Sequence, residues 1–598
     1  MRTTAQSRAL CTCVVMALGF TAFSIRLVHL QVTKHEEYVA QAAEKHTDRQ
    51  TIYARRGTIV DAHGESLALN EPVRTVIADA SLIKDRDAVA ALLAGPLEMS
   101  VAALREKLAR EVFSKTLNRR APAQYIVLKK DVPEAVAKGI ADEMAARKMR
   151  GIAFEHDTTR VYPNNRMLCH VIGYTNGEGA GMDGIERNLD SYLRGQHGFR
   201  YIERDGSGRE LVQFRGQERT ASNGSNVRLT VDMGLQNIVE TELEAACKIY
   251  NPLSATVVLM EPKTGAILAM ANRPNFDLND QRGVKEEVRR NRAVTDPVEP
   301  GSTFKIVTTA AALDQRLVNA RTMIFCENRY WSWCKLHDSS AHAYLSVNDV
   351  LVKSSNIGVA KLAIQMGDQK FYEYVRRFGF GERTGVNLPW ESPGIVHLPH
   401  TWSKISITRM PMGHEVNATP LQIASAMSVI ANGGQLMMPQ IVSEVADDQG
   451  KSIAAFPPRL VRQVVSKRAT EAVRDAMLEV VTSKGTASGA RVFGHLVAGK
   501  TGTSQKIEKE GGSYTHSKYV SSFVGYIPAN DPAFVAVVIF DEPRTKPGQY
   551  YGGIVAAPVF SRIAERAVRY LGIPPTEDKF QGEKGTALAS QIQQYRAQ

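Results

Sequence analysis

The first apolar feature of the chain is a run of 17 residues without a charged side chain, Ala9 to Ile25 (ALCTCVVMALGFTAFSI), bounded by Arg8 and Arg26. A helix of that length lies at the short end of what crosses a bilayer, and Arg26 can reach the interface along its own methylene stem. The pattern predicts a membrane anchor over residues 9–31 behind a short cytoplasmic tail, residues 1–8. The competing reading is a cleaved export signal. It is disfavoured because the small residues Ala17 and Gly19 lie inside the apolar run rather than after it. Arg2 and Arg8 precede the run while Arg26 and Lys34 follow it, so charge sets the orientation only weakly. Either reading exports the rest of the chain.

Beyond the anchor the periodicity changes several times. Residues 32–52 form a charged, helix-prone connector. The following stretch mixes short strand-like runs (TVIADA, QYIVLK) with amphipathic helical ones (VAALREKLAREV, AVAKGIADEMAARK) and Gly-rich turns such as GYTNGEGAGMDGIE. This predicts an elongated α+β module over residues 32–228. From VRLTVDMGLQNIVETELEAAC onward a long helix is followed by ATVVLMEPKTGAILAMAN, two strand-like runs either side of a Lys-Thr-Gly turn. Helical patterning dominates from 302 to about 435, and strand signals return in HLVAGKTGTSQ, VSSFVGYIP and AFVAVVIFDEP. The order strands, helices, strands predicts a helical cluster inserted into an antiparallel sheet, over residues 229–572. Residues 573–598 are polar, carry Pro574-Pro575 and are expected to form a flexible tail. The fold class is therefore multidomain α+β, and no internal repeat is visible.

Composition narrows this picture modestly. Hydrophobic residues make up 43% and charged residues 23% of 598, the balance of a globular protein. A formal charge of +12 admits nucleic acid, anionic lipid or an anionic glycan as partner. No zinc-finger, RNP or basic-helix pattern accompanies the charge, so nucleic acid is not expected and the basic residues, including those of the Arg-rich segment 104–120, are taken as solvated surface. Six cysteines are few for an exported chain of this size. Cys326 and Cys334 could pair in an oxidising compartment. They lack the second pair a structural zinc site needs, so no metal or other cofactor is expected. Cys169 and Cys247 are expected to be buried thiols.

The candidate chemistry begins at DPVEPGSTFKIVTTAAAL, where Ser302 and Lys305 stand three residues apart after the turn pair Pro300-Gly301. A serine there is also an ordinary helix N-cap, and Ser81/Lys84 and Ser332/Lys335 repeat the spacing. A serine nucleophile without histidine needs a nearby amine as base, with its pKa lowered by desolvation or a second cation. It also needs a proton relay and oxyanion donors. Ser-x-Asn occurs at Ser346/Asn348 and Ser354/Asn356, and Lys-Thr-Gly at Lys263–Gly265 and Lys500–Gly502. The first Lys-Thr-Gly reads as a β-turn and Ser346 as a helix cap. Only Ser302, Ser354 and Lys500 give the order S-x-x-K, S-x-N, K-T-G within one predicted domain. His414 and Glu415 have no partner spacing for a metal or a triad, and His170 and Asp183 are read as structural.

That ordered set is the one found in penicillin-recognising enzymes, and the chain resembles the class B penicillin-binding proteins, most closely their FtsI-type, septal branch. RRGTIVDAHGESLALN, RVYPNN and HVIGYTN…GMDGIERNLDSYLRG resemble the boxes of the family's non-catalytic pedestal or dimerisation module. NRAVTDPVEPGSTFK, NATPLQIASAMSVIANGG and AGKTGT…YVSSFVGYIP…DEPRTKPGQYYGGIVAAPVF resemble its transpeptidase domain. Ala62-His63 and the loop PMGHEVNATP depart from the family pattern without touching the three motifs.

The resemblance implies a membrane-anchored, extracytoplasmic D,D-transpeptidase that cross-links peptidoglycan stem peptides ending in D-Ala–D-Ala and is acylated by β-lactams. It implies Ser302 as nucleophile, Lys305 as base, Ser354 as proton relay, Asn356 holding the stem peptide and Lys500 supplying charge. Thr501, Gly502 and Thr503 would bind the terminal carboxylate, and the backbone N–H groups of Ser302 and Thr503 would form the oxyanion hole. With no glycosyltransferase domain expected, the implied partners are a SEDS-type glycan polymerase (FtsW-like) and other division proteins. A serine β-lactamase or β-lactam sensor, and a division scaffold with a degenerate site, remain as alternatives.

Overall fold

The computed structural model describes residues 2–38, 47–114, 119–203, 218–507, 514–546 and 548–576. Parts of the expected connector (39–46), of the Arg-rich segment (115–118) and nearly all of the expected tail (577–598) lie outside the described residues. The chain divides into two compact units, residues 1–55 with 195–224, and residues 56–194 with 225–598.

In the first unit a helix runs Arg2–Val28 and continues into a π-helical turn, His29–Thr33. Residues 7–33 are long and apolar enough to cross a membrane by length and composition. Leu18, Phe20 and Phe23 are exposed on it, so its apolar surface is not spent on a core. A three-stranded antiparallel sheet accompanies it, ordered Thr47–Ile52, Gly198–Glu203, Glu218–Arg219.

The second unit contains a seven-stranded sheet that follows the α+β reading of the first module. Ser66–Ala78 is its longest strand and pairs antiparallel with both Ile126–Pro133 and Ile152–Val161. Helices Arg86–Ala94, Val101–Leu108 and Glu134–Ala146 pack on it through an apolar cluster that includes Leu93, Leu104 and Ile140. The sequence gives no hint of one feature. Val442–Ala446, far downstream, pairs with Asn226–Leu229, and Ser452–Ala455 pairs in turn with Val442–Ala446 to complete this sheet. Such pairing depends on register between distant segments, which local periodicity does not encode.

The expected sheet with a helical insertion is present. Ser254–Met260 and Ile267–Arg273 form a hairpin around the Lys263–Gly265 turn, and the sheet continues in space through Phe534–Asp541, Tyr514–Ile527 and Ala498–Ile507, all antiparallel. Every residue of Ser254–Met260 is buried, because helices cover both faces of the sheet. Met233–Tyr250 and Ala557–Tyr570 lie against one face and Pro420–Ala431 against the other. Asp232 starts Met233–Tyr250 by accepting from Leu235 N, and Asn251, in the left-handed conformation, ends it. Leu235, Val239, Leu243 and Ala246 form its buried stripe, and each large side chain there stabilises by roughly 1.5–3 kcal/mol. The inserted helices are Lys305–Asp314, Val347–Val352 and Asn356–Met366, and the short turn Gly301–Phe304 that leads into the first of them packs against the edge strand, Ala498–Ile507.

Candidate active site

Ser302 lies in a 3₁₀ turn, Gly301–Phe304, and the α-helix starts only at Lys305. The N-cap expectation for Ser302 is corrected by this geometry. Its side chain caps nothing; Thr303 Oγ1 closes the turn on Pro300 O at 2.8 Å. Gly301 has φ +56°, a conformation that costs glycine little, and it lets the turn press on the Ala498–Ile507 strand. A Cβ at Gly301 would stand 3.0 Å from Thr503 O, and one at Gly502 2.3 Å from Ser522 Oγ and 2.9 Å from Pro300 O. The glycine of Lys-Thr-Gly is thus required by the closeness of strand and turn.

Lys305 and Lys500 are fully buried, and their amines converge on one hydroxyl. Lys305 Nζ donates to Ser354 Oγ at 3.1 Å, to Ser354 O at 2.5 Å and to Asn356 Oδ1 at 2.7 Å. Lys500 Nζ donates to the same Ser354 Oγ at 2.9 Å and to Thr501 O at 3.2 Å. All these acceptors are neutral oxygens. Burial therefore lowers the Lys305 pKa to about 7, opposed in part by the Asp338 carboxylate. Burial, reinforced by the neighbouring Lys305 charge, holds Lys500 well below an ordinary lysine.

Ser354 has φ +57°, a left-handed conformation that costs a non-glycine residue about 1–3 kcal/mol. The serine that caps the next helix is its neighbour: Ser355 is the N-cap of Asn356–Met366, accepting from Gly358 N at 2.9 Å. The cap is completed by a residue the sequence reading missed. Asp338, buried, accepts from Asn356 N and Ser355 Oγ at 2.5 Å each and from Ile357 N at 3.1 Å. Asn356 Nδ2 in turn donates to His337 O at 2.8 Å. The string KLHDSS carries no local signal of this role, because only the fold brings Asp338 to the helix start.

Ser302, Lys305, Ser354, Asn356 and the Lys500–Thr503 strand are thus brought together, with Thr501 Oγ1 2.8 Å from Thr486 Oγ1 and Thr503 Oγ1 accepting from Gly552 N at 3.1 Å. The rival serines are elsewhere. Ser81 bonds Asp79 in an exposed turn, and Ser332 sits in the turn between strands Tyr330–Trp331 and Leu336–His337. Ser346 caps Val347–Val352 as expected. His414 pairs with Glu299 at 2.9 Å, His170 Nε2 donates to Val288 O at 2.8 Å and Asp183 caps Gly184–Asn188. Cys326 and Cys334 are buried free thiols. Among the described residues no cluster of three or more His, Cys, Asp or Glu could hold a metal.

This architecture has close counterparts. Residues 255–565 match the penicillin binding protein transpeptidase domain, and residues 51–229 the penicillin-binding protein dimerisation domain. The chain is 31% identical over 572 residues to the peptidoglycan D,D-transpeptidase FtsI of Escherichia coli (strain K12), covering 95% of this chain and 92% of that protein. It is likewise 31% identical over 586 residues to stage V sporulation protein D of Bacillus subtilis, covering 97% and 88%. Among solved structures, penicillin binding protein 2X from Streptococcus thermophilus superposes with a TM-score of 0.73 at 25% identity, over 87% of this chain and 80% of that one. Penicillin binding protein 3 from Mycobacterium tuberculosis, complexed with aztreonam, gives 0.68 at 26% identity, over 88% and 98%.

The chain belongs to the penicillin-binding proteins, in their class B transpeptidase branch. It is a peptidoglycan D,D-transpeptidase, a serine-type acyl transferase.

Proposed function

We propose that Ser302 is the acylated nucleophile of this transpeptidase, acting in septal cell-wall synthesis. The observation that carries the reading is the convergence of two buried lysine amines on the Ser354 hydroxyl. As an ammonium, Lys305 fills three acceptors; as a neutral amine it has two N–H donors and a lone pair, so one contact is released and a base is created. A pKa of about 7 makes that form abundant at neutral pH.

Lys305 takes the Ser302 proton while Ser302 Oγ attacks the carbonyl of the D-Ala–D-Ala bond. The N–H groups of Ser302 and Thr503, on backbones in contact at Gly301, receive the oxyanion, a contribution of roughly 2.7–4 kcal/mol per donor. Ser354 accepts from both amines, which leaves its own O–H to donate. It passes the proton to the departing D-Ala amine and recovers one from Lys305. Lys500 with the Thr501 and Thr503 hydroxyls holds the terminal carboxylate, Gly502 keeps that strand against the Ser302 turn, and Asn356 holds the stem-peptide backbone. An amine from a second stem peptide then attacks the acyl-serine, forming the cross-link and freeing Ser302. β-Lactams enter as mimics of the dipeptide and remain on Ser302.

The apolar N-terminal helix is assigned as a single-pass anchor that leaves the catalytic domain on the periplasmic side. Resemblance to FtsI-type proteins supports a SEDS-type, FtsW-like polymerase and other division proteins as partners. The test is intact mass after incubation with fluorescent penicillin, for wild type and Ser302→Ala. Wild type gains one stable adduct and the variant none; labelling of the variant would remove Ser302 from the nucleophile's role.

A further inference from the structure

The excursion that delivers His337 and Asp338 to the cleft also carries a group of aromatic side chains that the reaction does not use. Two short hairpins build it, Met323–Phe325 with Tyr344–Ser346, and Tyr330–Trp331 with Leu336–His337. Phe325 and Tyr344 pack with ring centroids 5.1 Å apart, and Trp331 and Trp333 at 5.3 Å. The Lys361 ammonium joins the two pairs, 5.0 Å from the Phe325 ring and 4.8 Å from the Trp331 ring, and is held by Glu327 at 2.5 Å. Despite this packing, Trp333 is 60% and Tyr344 61% exposed. The base beneath is firm: Cys326, Cys334, Leu336 and Leu345 are buried with Ile357 and Val359 of the Asn356–Met366 helix. Rings this exposed, on a preorganised base, are a cost to a soluble surface and mark a contact site.

We propose that this aromatic surface binds the glycan strand that carries the stem peptide. Its place argues for that ligand. His337 O accepts from Asn356 Nδ2 at 2.8 Å, and His337 stacks on Tyr330 at 4.5 Å, so the hairpin is continuous with the wall of the cleft. In peptidoglycan the peptide entering the cleft is covalently joined to sugar, and a sugar's apolar C–H face suits a flat ring while its hydroxyls stay solvated. The Lys361 charge is neutralised by Glu327, which favours an uncharged face of the ligand over an anionic lipid surface. The inference adds a subsite to the transpeptidase reading and relies on that reading for the identity of the strand.

The experiment uses the full chain in detergent and end-labelled glycan strands stripped of stem peptides by an amidase, with binding read by fluorescence anisotropy. Wild type binds saturably, the double variant Trp333→Ala/Tyr344→Ala binds about tenfold more weakly, and Trp333→Phe keeps most of the affinity. Thermal unfolding of each variant checks that it is folded. Absence of saturable binding by wild type, or equal binding by the double variant, overturns the proposal. So does binding to phosphatidylglycerol vesicles, but not to glycan, that the double variant loses. Penicillin acylation of wild type, run alongside, reports the cleft separately, so failure of the glycan arm and failure of the transpeptidase reading are distinguishable.

Discussion

The Lys500 amine meets the Ser354 hydroxyl at 2.9 Å across 146 residues of chain. This contact joins the last strand of the sheet to the inserted helices, and it places a second cation where Lys305 already donates. Two amines this close, both buried and bonded to neutral oxygens, cannot both hold protons cheaply. The strained φ of Ser354 is the cost of presenting one oxygen to both.

Removing that oxygen separates strain from chemistry. Ser354→Ala and Ser354→Gly both leave two buried donors short of an acceptor, so each is expected to slow penicillin acylation by about 100-fold. Glycine relieves the left-handed conformation and alanine does not, so Ser354→Gly should be the more stable of the two by about 1 kcal/mol. Stopped-flow acylation and denaturant unfolding of the pair check both statements. Equal stabilities would mean that the backbone there is not strained.

The pH dependence follows from the direction of the Lys305 shift. Burial disfavours its charged form, so the amine loses its proton near pH 7 rather than above 10. The neutral form is the proposed base. Acylation should therefore be slow in acid and rise with pH through about 7, levelling above it. Lys305→Arg cannot deprotonate in this range and should abolish the rise along with at least about 100-fold of the rate. A pH–rate profile with a nitrocefin-type reporter decides it.

Asp338 raises the Lys305 pKa while burial lowers it, so the two effects can be told apart. Asp338→Asn removes the carboxylate charge but keeps a side-chain oxygen for the helix start. The acylation midpoint should move to lower pH, and stability should fall by about 1–2 kcal/mol through the weakened cap. A variant with lowered stability and an unmoved midpoint would confine Asp338 to holding the helix.

How much of this was readable from the chain differs residue by residue. The apolar run, the two hairpin strands around Lys263–Gly265 and the order of Ser302, Ser354 and Lys500 are local or ordered signals, and sequence carries those directly. Residue type alone does not tell which serine caps: Ser346 and Ser355 are N-caps, whereas Ser302 and Ser354 are held in a 3₁₀ turn and a left-handed bend. Propensity yields to tertiary contact at such sites. Asp338, and the Val442–Ala455 hairpin that joins the other sheet, depend on long-range placement that no periodicity records.

Gly502 tests whether the strand and the Ser302 turn must touch. Its neighbours are close and differ in kind: the Ser522 hydroxyl is a side-chain end that can rotate away, whereas Pro300 O is backbone. A methyl group at Gly502 must therefore push the strand from the Ser302 turn, and the same displacement would part Thr503 from Gly301. Gly502→Ala should lower stability by about 1–3 kcal/mol and slow acylation more than its stability loss explains, because the two proposed oxyanion donors sit on the separated segments. Ser522→Ala, which removes the nearest obstruction, should restore part of the stability. If it also restored the full rate, the side chain rather than the Pro300 carbonyl would be what the glycine accommodates.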